Sequence, residues 1–119
     1  MSYSILFVDD EQNILHSLRR GFFDSDYKTY FAISAEEGFK ILEQQNIDMV
    51  VSDMRMPNID GYEFCEKIKE QYPQIIRIIL SGYSDKEKLL KTVSDGVVKA
   101  YLYKPWDIND CQTSIRIQH

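Results

Sequence analysis

Several polar side chains in this sequence stand directly after short apolar runs, at the points where the strands of a sheet would end. They are Asp9 and Asp10 after SILFV, Asp53 after DMVVS, Ser81 after IIRIIL and Lys104 after KAYLY. If these runs form parallel strands, their carboxyl ends share one edge of the sheet, where such folds bind ligands. We therefore expect Asp9, Asp10 and Asp53 to converge in one crevice.

Clustered carboxylates repel one another strongly unless a cation relieves them. Ligands that offer only oxygen suit Mg²⁺, with Mn²⁺ as an alternative ion, and the His/Cys pattern of a zinc site is missing from the sequence. The carboxylate of Asp53 would then serve both as a metal neighbour and as a nucleophile toward phosphorus. Lys104 and the Ser81 hydroxyl would neutralise charge on the transferring oxygens.

The elements that must position these residues can be read from the hydrophobic pattern. Short apolar runs alternate with amphipathic stretches, which is typical of βα units in a parallel sheet. We predict an α/β fold with a doubly wound five-stranded parallel sheet, the flavodoxin-like strand order 2-1-3-4-5 and five helices. The predicted strands are Ser4 to Val8, Tyr27 to Ala32, Asp48 to Ser52, Ile75 to Leu80 and Lys99 to Tyr103.

Helix starts are indicated by a small polar residue followed three positions later by an acid. Ser34 with Glu37, Asp60 with Glu63 and Ser84 with Glu87 have this spacing, and Pro73 and Gly96 stand where helices should end. A last helix is predicted from Asp107 to about Ile117. Apolar residues at helical spacing are expected to be core, among them Leu89, Leu90 and Val93 of the fourth helix.

Composition narrows the classes of function. The chain has 119 residues, and we expect residues 1–119 to form a single domain, cut from a longer protein. A net charge of −5 without a basic cluster argues against direct nucleic-acid or membrane binding. Cys65 and Cys111 lack a C-x-x-C pattern, and the sequence shows no signal or bilayer-spanning run, so we expect two reduced thiols in a cytoplasmic protein.

Four motifs carry a family resemblance. FVDDE, SDMRMPNIDG, ILSGYSD and YLYKPWD occur in this order, and through them the chain resembles the response-regulator receiver domain of bacterial two-component signalling from about Ser4 to Ile117. The resemblance implies a signalling phosphoacceptor and not an enzyme in the usual sense. Only self-phosphorylation from small donors and autodephosphorylation would be expected of it.

The resemblance also implies roles for the acidic residues. Asp53 would accept a phosphoryl group from a sensor histidine kinase or a phosphotransfer protein. Asp10 and Asp53 would bind Mg²⁺ directly, together with the main-chain carbonyl of Arg55, and Asp9 would help through water.

A conformational switch is implied as well. Ser81 would turn toward the phosphoryl oxygens, Tyr101 would swing into the space the hydroxyl left, and Lys104 would pair with the phosphoryl group. The Lys104–Pro105 bond is expected to be cis. The fourth helix, fifth strand and fifth helix would form the output face, which would control a C-terminal output domain and offer a surface for dimerisation.

Arg55 stands two residues beyond the acceptor Asp53, and Tyr83 stands two residues beyond Ser81 with its hydroxyl. These positions flank the path of an attacking water. We therefore predict that both side chains set the lifetime of the phosphoryl group.

Three other functions share part of this pattern. A Mg²⁺-dependent phosphohydrolase with an aspartyl nucleophile would share the acid, hydroxyl and lysine, but haloacid-dehalogenase-like enzymes need a second Asp where this chain has Arg55. A flavodoxin-like FMN carrier would need a phosphate loop where Asp9, Asp10 and Glu11 would repel phosphate. The third is an interaction domain that keeps the fold but is never phosphorylated. Clustered carboxylates without a metal ion would destabilise such a domain.

Overall fold

Strands and helices alternate along the whole chain. The computed structural model describes residues 3–81, 86–103 and 108–118. The elements are β1 (Ser4–Val8), α1 (Gln12–Gly21), β2 (Lys28–Ala32), α2 (Ala35–Gln44), β3 (Met49–Asp53), α3 (Gly61–Gln71), β4 (Ile76–Ser81), α4 (Lys86–Ser94), β5 (Ala100–Tyr103) and α5 (Ile108–Gln118). The predicted strands agree with these bounds to within one residue.

The strands form one parallel sheet in the order β2-β1-β3-β4-β5. This confirms the predicted doubly wound architecture with its five strands and five helices. The chain winds outward in both directions from β1 and β3, which are neighbours in the sheet. The carboxyl ends of these two strands therefore flank the crevice where such folds bind ligands.

Helices cover both faces of the sheet because successive side chains of a buried strand point in opposite directions. In β1, Ile5 and Phe7 pack in a core cluster with residues of α1 and α5. Leu6 and Val8 point to the other face and pack with residues of α2 and α3. A strand that is apolar at every position therefore marks a sheet with helices on both sides.

Capping side chains fix where two of the helices begin. Ser34 Oγ accepts a 3.1 Å hydrogen bond from the Glu37 amide, and Asp60 Oδ1 accepts one of 2.9 Å from the Glu63 amide. Each cap satisfies an amide that has no partner within the helix. The third predicted cap, Ser84, lies outside the described residues. Beyond α4, Gly96 adopts a left-handed φ of 72°, as expected of a glycine that follows a helix.

The prediction that α4 buries all three of its aliphatic residues was wrong. Leu89 is fully buried, but Leu90 is 52% exposed and Val93 is 38% exposed. Helical spacing identifies an apolar stripe without revealing how much of it the neighbouring elements cover. On α4 the sheet and α3 cover only the side that carries Leu89.

Both cysteines are free thiols, as the sequence suggested, and both are buried. Burial raises the pKa of Cys65 and that of Cys111 to about 12 each. The thiolate is the reactive form of cysteine, so neither side chain is suited to chemistry at neutral pH. Within the described ranges, no helix combines the length and the hydropathy needed to cross a bilayer.

Candidate functional site

Three aspartates from two strand ends meet at the crevice between β1 and β3. One carboxylate oxygen from each of Asp9, Asp10 and Asp53 lies within 4.8 Å of the others. The two acidic stretches are separated by more than forty residues of chain and are brought together by the pairing of Val8 with Ser52. The expected convergence of these side chains is therefore present in the structure.

Asp9 and Asp10 lie in different surroundings although they are adjacent in sequence. Asp9 is 1% exposed, and its amide donates to the Ala32 carbonyl of β2, while Asp10 is exposed. One oxygen of Asp9 accepts a 2.9 Å hydrogen bond from the Glu11 amide. This bond holds a buried carboxylate in a fixed orientation at the N-terminal end of α1.

Asp53 is the last residue of β3 and is only 5% exposed. The strand pairing of Asp53 with Leu80 and the 3.0 Å hydrogen bond from the Met54 amide to the Leu80 carbonyl hold its backbone against β4. The nucleophile candidate therefore sits on a rigid strand end. A group placed in this way is held for in-line chemistry better than one on a loop.

The chain leaves Asp53 through a sharp turn at Asn58. The Ile59 amide donates to the Pro57 carbonyl, and Asn58 between them has a φ of 73°. This is a γ-turn of the rarer positive-φ kind, which asparagine tolerates better than most residues. The turn brings the chain back so that the Gly61 amide donates a 2.7 Å hydrogen bond to the Met54 carbonyl.

Gly61 lets α3 begin in direct contact with the backbone at the end of β3. A Cβ added at this position would overlap the Asp53 carbonyl oxygen and lie 2.9 Å from Met54 Cα. Both are backbone atoms that cannot move aside cheaply. The sequence already indicated a helix start at Asp60 and Gly61, but the close approach to Asp53 appears only in the structure.

Ser52 is a residue of this region that the sequence analysis missed. Its side chain is fully buried, and its hydroxyl donates 2.9 Å to the Asp53 carbonyl and lies 3.9 Å from Met56 Sδ. The hydroxyl thus ties the backbone of Asp53 to the loop that follows it. The available signal was a lone serine within an otherwise apolar strand.

The other predicted site residues fall into two groups. Ser81 is buried at the carboxyl end of β4, Tyr101 is half-buried on β5, and Arg55 is exposed two residues beyond Asp53. Ile79 pairs with Tyr101 and Ser81 pairs with Tyr103, so Ser81 and Tyr101 belong to the same face of the sheet. The remaining predicted residues, Tyr83, Lys104 and Pro105, lie outside the described part of the chain.

The geometry of the three aspartates fits a divalent cation. Their oxygens are hard ligands at a spacing that side-chain adjustment can close around one octahedral ion, with water completing its coordination. Without a cation, the proximity of the two mostly buried carboxylates, Asp9 and Asp53, to Asp10 would be unfavourable. These are the residues that would hold Mg²⁺.

Comparison with known sequences identifies the family. The profile of the response regulator receiver domain matches residues 5–116. The chain is a response-regulator receiver domain. Receiver domains are signalling modules.

Curated relatives of this receiver domain are longer response regulators. It is 35% identical over 103 residues to the hydrogenase transcriptional regulatory protein HoxA of Cupriavidus necator, covering 87% of this chain and 21% of that protein. It is 30% identical over 113 residues to the heme response regulator HssR of Staphylococcus aureus, covering 93% of this chain and 49% of that protein. The chain therefore spans between a fifth and a half of these relatives.

Solved receiver structures have the same fold. The signal receiver domain of an HD domain-containing protein from Pseudomonas fluorescens Pf-5 superposes with a TM-score of 0.91 at 31% identity, covering 98% of this chain and 93% of that one. A CheY-like receiver domain from Methanospirillum hungatei JF-1 gives a TM-score of 0.91 at 27% identity, covering 99% and 94%. These two solved receiver domains therefore share the overall fold of this chain.

Proposed function

We propose that this receiver domain accepts a phosphoryl group on Asp53 from a sensor histidine kinase or a phosphotransfer protein, in a reaction that depends on Mg²⁺ or Mn²⁺. The observation that carries the proposal is the approach of the Asp9, Asp10 and Asp53 oxygens to within 4.8 Å of one another. No other group of carboxylate, histidine or cysteine ligands in the described ranges gathers in this way. Family membership supports this kind of reaction, and the cluster supports Asp53 as the acceptor.

The transfer step needs little from the protein beyond positioning and charge neutralisation. An oxygen of Asp53 attacks the phosphorus of the donor phosphohistidine in line, and the new O–P bond forms as the N–P bond breaks. The leaving imidazole nitrogen keeps the electron pair and is protonated. A divalent cation held by Asp10, Asp53 and the Arg55 carbonyl, with Asp9 acting through water, would neutralise negative charge on the phosphoryl oxygens.

Each residue of the crevice has a physical task in this step. The burial of Asp53 would limit the access of water to the acceptor, and its strand pairing with Leu80 would hold its backbone still during attack. One carboxylate oxygen of Asp9 accepts a hydrogen bond from the Glu11 amide, which would orient this side chain beside the cation. Lys104 would pair with the transferred group.

We propose that Ser81 and Tyr101 transmit phosphorylation to the surface. Both belong to one face of neighbouring strands, and Tyr101 packs against the cluster that holds Met54 of the acceptor loop and Leu89 of α4. The phosphoryl group carries nearly two negative charges, which would attract the Ser81 hydroxyl and bias the position of Tyr101. The face made by α4, β5 and α5 would change shape and control an output domain or dimerisation.

The relatives support an output domain as a partner. HoxA and HssR are a transcriptional regulatory protein and a response regulator by name, and the chain matches only 21% and 49% of their lengths. A receiver domain of this kind would act by changing its contacts with the output domain to which it is joined. The charge of −5 favours a protein partner over nucleic acid for the receiver itself.

Incubation with Mg²⁺ and acetyl phosphate, followed by intact mass measurement, tests the acceptor. We expect one added phosphoryl group on the wild-type protein and none without a divalent cation. Asp53→Asn should abolish the adduct. Asp24→Asn, which removes the same charge from an exposed position on the α1–β2 connection, should not.

The alternative functions give different results in the same experiment. Rapid release of inorganic phosphate with no lasting adduct would identify an aspartyl-nucleophile phosphohydrolase. No adduct and no release would identify an interaction domain that is not phosphorylated. An adduct that persists in Asp53→Asn would show that another residue is the acceptor.

We also propose that Arg55 and Tyr83 control how long the phosphoryl group lasts, because they stand two residues beyond Asp53 and Ser81 in the sequence, at positions expected to flank the approach of hydrolytic water. Arg55 is exposed to solvent. Single-turnover dephosphorylation of Arg55→Ala and Tyr83→Ala should differ from that of the wild type. Equal rates in all three proteins would reject this role.

A further inference from the structure

A second charged site lies at the opposite edge of the sheet from Asp53. A groove of about 430 Å³ opens there between the α3–β4 and α4–β5 connections. Arg77, at the start of β4, and Lys99, just before β5, both line it, and Pro73 and Gly96 form part of its rim. We call it the Arg77–Lys99 groove.

Arg77 of β4 lies beside Lys99, the residue that immediately precedes β5. The Lys99 amide donates a 2.9 Å hydrogen bond to the Arg77 carbonyl, and the next residues, Ile78 and Ala100, are paired in register. Residues that are level on neighbouring parallel strands point to the same face of the sheet. Like charges placed in this way destabilise a sheet unless something compensates for them.

No carboxylate compensates for Arg77 within the described residues. Its Nε donates 2.6 Å to the Val97 carbonyl and its Nη1 donates 2.7 Å to the Ile75 carbonyl. A guanidinium has five N–H donors, so these two bonds leave others available at the groove. The half-buried side chain therefore keeps an uncompensated charge, and its burial lowers the pKa of Arg77.

A third cation stands near the rim. Lys69 Nζ lies 3.4 Å from the Asp95 carbonyl oxygen, and a Cβ added at Gly96 would lie 3.4 Å from the same nitrogen. Lys69 itself lines a neighbouring pocket together with Glu66, Glu70 and Asp95. The positive charge of the groove therefore rests on Arg77 and Lys99.

We propose that the Arg77–Lys99 groove binds a small oxyanion that carries a phosphate or carboxylate group. Guanidinium donors match the oxygens of both groups, and the neighbouring ammonium adds charge. The bound anion would also relieve the repulsion between Arg77 and Lys99. This site does not involve Asp53, and the proposal stands independently of phosphorylation.

Backbone amide shifts of the Mg²⁺-free wild-type protein, titrated with inorganic phosphate and separately with acetate at constant ionic strength, test the proposal. We expect saturable shifts at residues 75–77 and 97–99 with at least one of the two anions, and the anion that saturates identifies the class. Lys99→Gln should weaken binding about tenfold. Lys40→Gln, which neutralises an exposed lysine on α2, should leave it unchanged.

Lys99→Glu gives an independent measurement because it places a carboxylate beside Arg77. We expect a higher unfolding midpoint than that of the wild type in anion-free buffer, and no further increase when phosphate or acetate is added. Shifts that fail to saturate, shifts confined to other residues, equal affinity in Lys99→Gln, or a lower midpoint in Lys99→Glu would each overturn the proposal.

Discussion

The hydroxyl of Tyr62, in the first turn of α3, donates a 2.9 Å hydrogen bond to Oδ2 of Asp95, just beyond the end of α4. Lys91 of α4 lies over the Tyr62 ring, with its nitrogen 5.6 Å from the ring centre. Lys69 of α3 donates to the main-chain carbonyl of the same Asp95. The C-terminal end of α4 is therefore tied to α3 by a small set of polar contacts on the surface.

Because of the Tyr62–Asp95 hydrogen bond, the stability of the folded protein should fall as the pH rises through the alkaline range. Asp95 raises the pKa of Tyr62 above its usual 10.0, because the carboxylate accepts the phenolic proton's hydrogen bond and repels the phenolate. The hydrogen bond therefore contributes fully to the free energy of unfolding below pH 10.0. This contribution is lost as the pH rises through the raised pKa of Tyr62 in the folded protein. We expect Tyr62→Phe to lower the urea midpoint at neutral pH and to match the wild type at high pH.

The matched control for this prediction is Tyr72→Phe. Tyr72 is half-buried at the end of α3, and its hydroxyl has no hydrogen bond within the described residues. Urea unfolding of the wild type, Tyr62→Phe and Tyr72→Phe should be measured across the alkaline pH range. The comparison separates the effect of the Tyr62–Asp95 hydrogen bond on stability from the effect of titrating any tyrosine. A Tyr62→Phe difference that persists unchanged at high pH would contradict the assignment.

Gly61→Ala should destabilise the domain and disturb the acceptor. The new Cβ would meet the Asp53 carbonyl and the Met54 Cα, so the backbone must shift, at a cost of about 1–3 kcal/mol in the free energy of unfolding. Gly38→Ala is the control. There the nearest atom is Phe64 Cζ at 3.0 Å, a side-chain atom, and the gain in helix propensity is about 1 kcal/mol.

Urea unfolding and the rate of acetyl phosphate labelling check this prediction together. We expect Gly38→Ala to stay within about 1 kcal/mol of the wild type in stability and to label normally. Gly61→Ala should be less stable and should label more slowly under conditions in which it remains folded. Equal stability of the two variants would show that the α3 start has room for a Cβ.

Removing the charge of Asp53 should stabilise the protein when no divalent cation is present. Asp9, Asp10 and Asp53 bring three carboxylates together, and Asn at position 53 removes part of their repulsion. A relief of about 1 kcal/mol corresponds to a rise of about 4 °C in Tm. Mg²⁺ should raise the Tm of the wild type more than that of Asp53→Asn.

Thermal unfolding in EDTA and in Mg²⁺ provides the measurement, with Asp24→Asn as the charge-matched control. This control should behave like the wild type in both buffers. If Mg²⁺ leaves the wild-type Tm unchanged, the cluster does not bind the ion. If Asp53→Asn is no more stable than the wild type in EDTA, the carboxylates do not repel appreciably.

Cys65 and Cys111 should resist thiol reagents in the folded state. Both are buried, and a pKa of about 12 leaves almost no thiolate at neutral pH. We expect no reaction with a disulfide reagent in native buffer and reaction of both thiols in denaturant. Because the folded pKa is raised, their contribution to stability is present below pH 9.0 and declines as the pH approaches 12. Rapid labelling at pH 7 would show that one of them is accessible.

Local pattern in the sequence was enough to predict the elements and most of the acidic site. The buried strand Ser4–Val8 is apolar at every position, and the caps at Ser34 and Asp60 have the spacing that their hydrogen bonds require. These signals depend on residues a few positions apart. The parallel arrangement then places Asp9, Asp10 and Asp53 at one edge of the sheet.

Contacts between distant residues were beyond the reach of that pattern. Helical spacing grouped Leu90 and Val93 with Leu89, although they are 52% and 38% exposed. Ser52 carried too weak a signal to be linked to the Asp53 carbonyl. In both cases the outcome depends on which element packs against the residue, and a local period does not contain that information.

The sequence by itself determined that strands and helices alternate, that acids follow the first and third strands, and that the chain belongs with receiver domains. The tertiary structure alone decided which side chains touch: Tyr62 with Asp95, Gly61 with the Asp53 carbonyl, and Arg77 level with Lys99. The physical reason is that periodicity and capping act over a single element. Strand register and the seating of helices are settled only when the whole core packs.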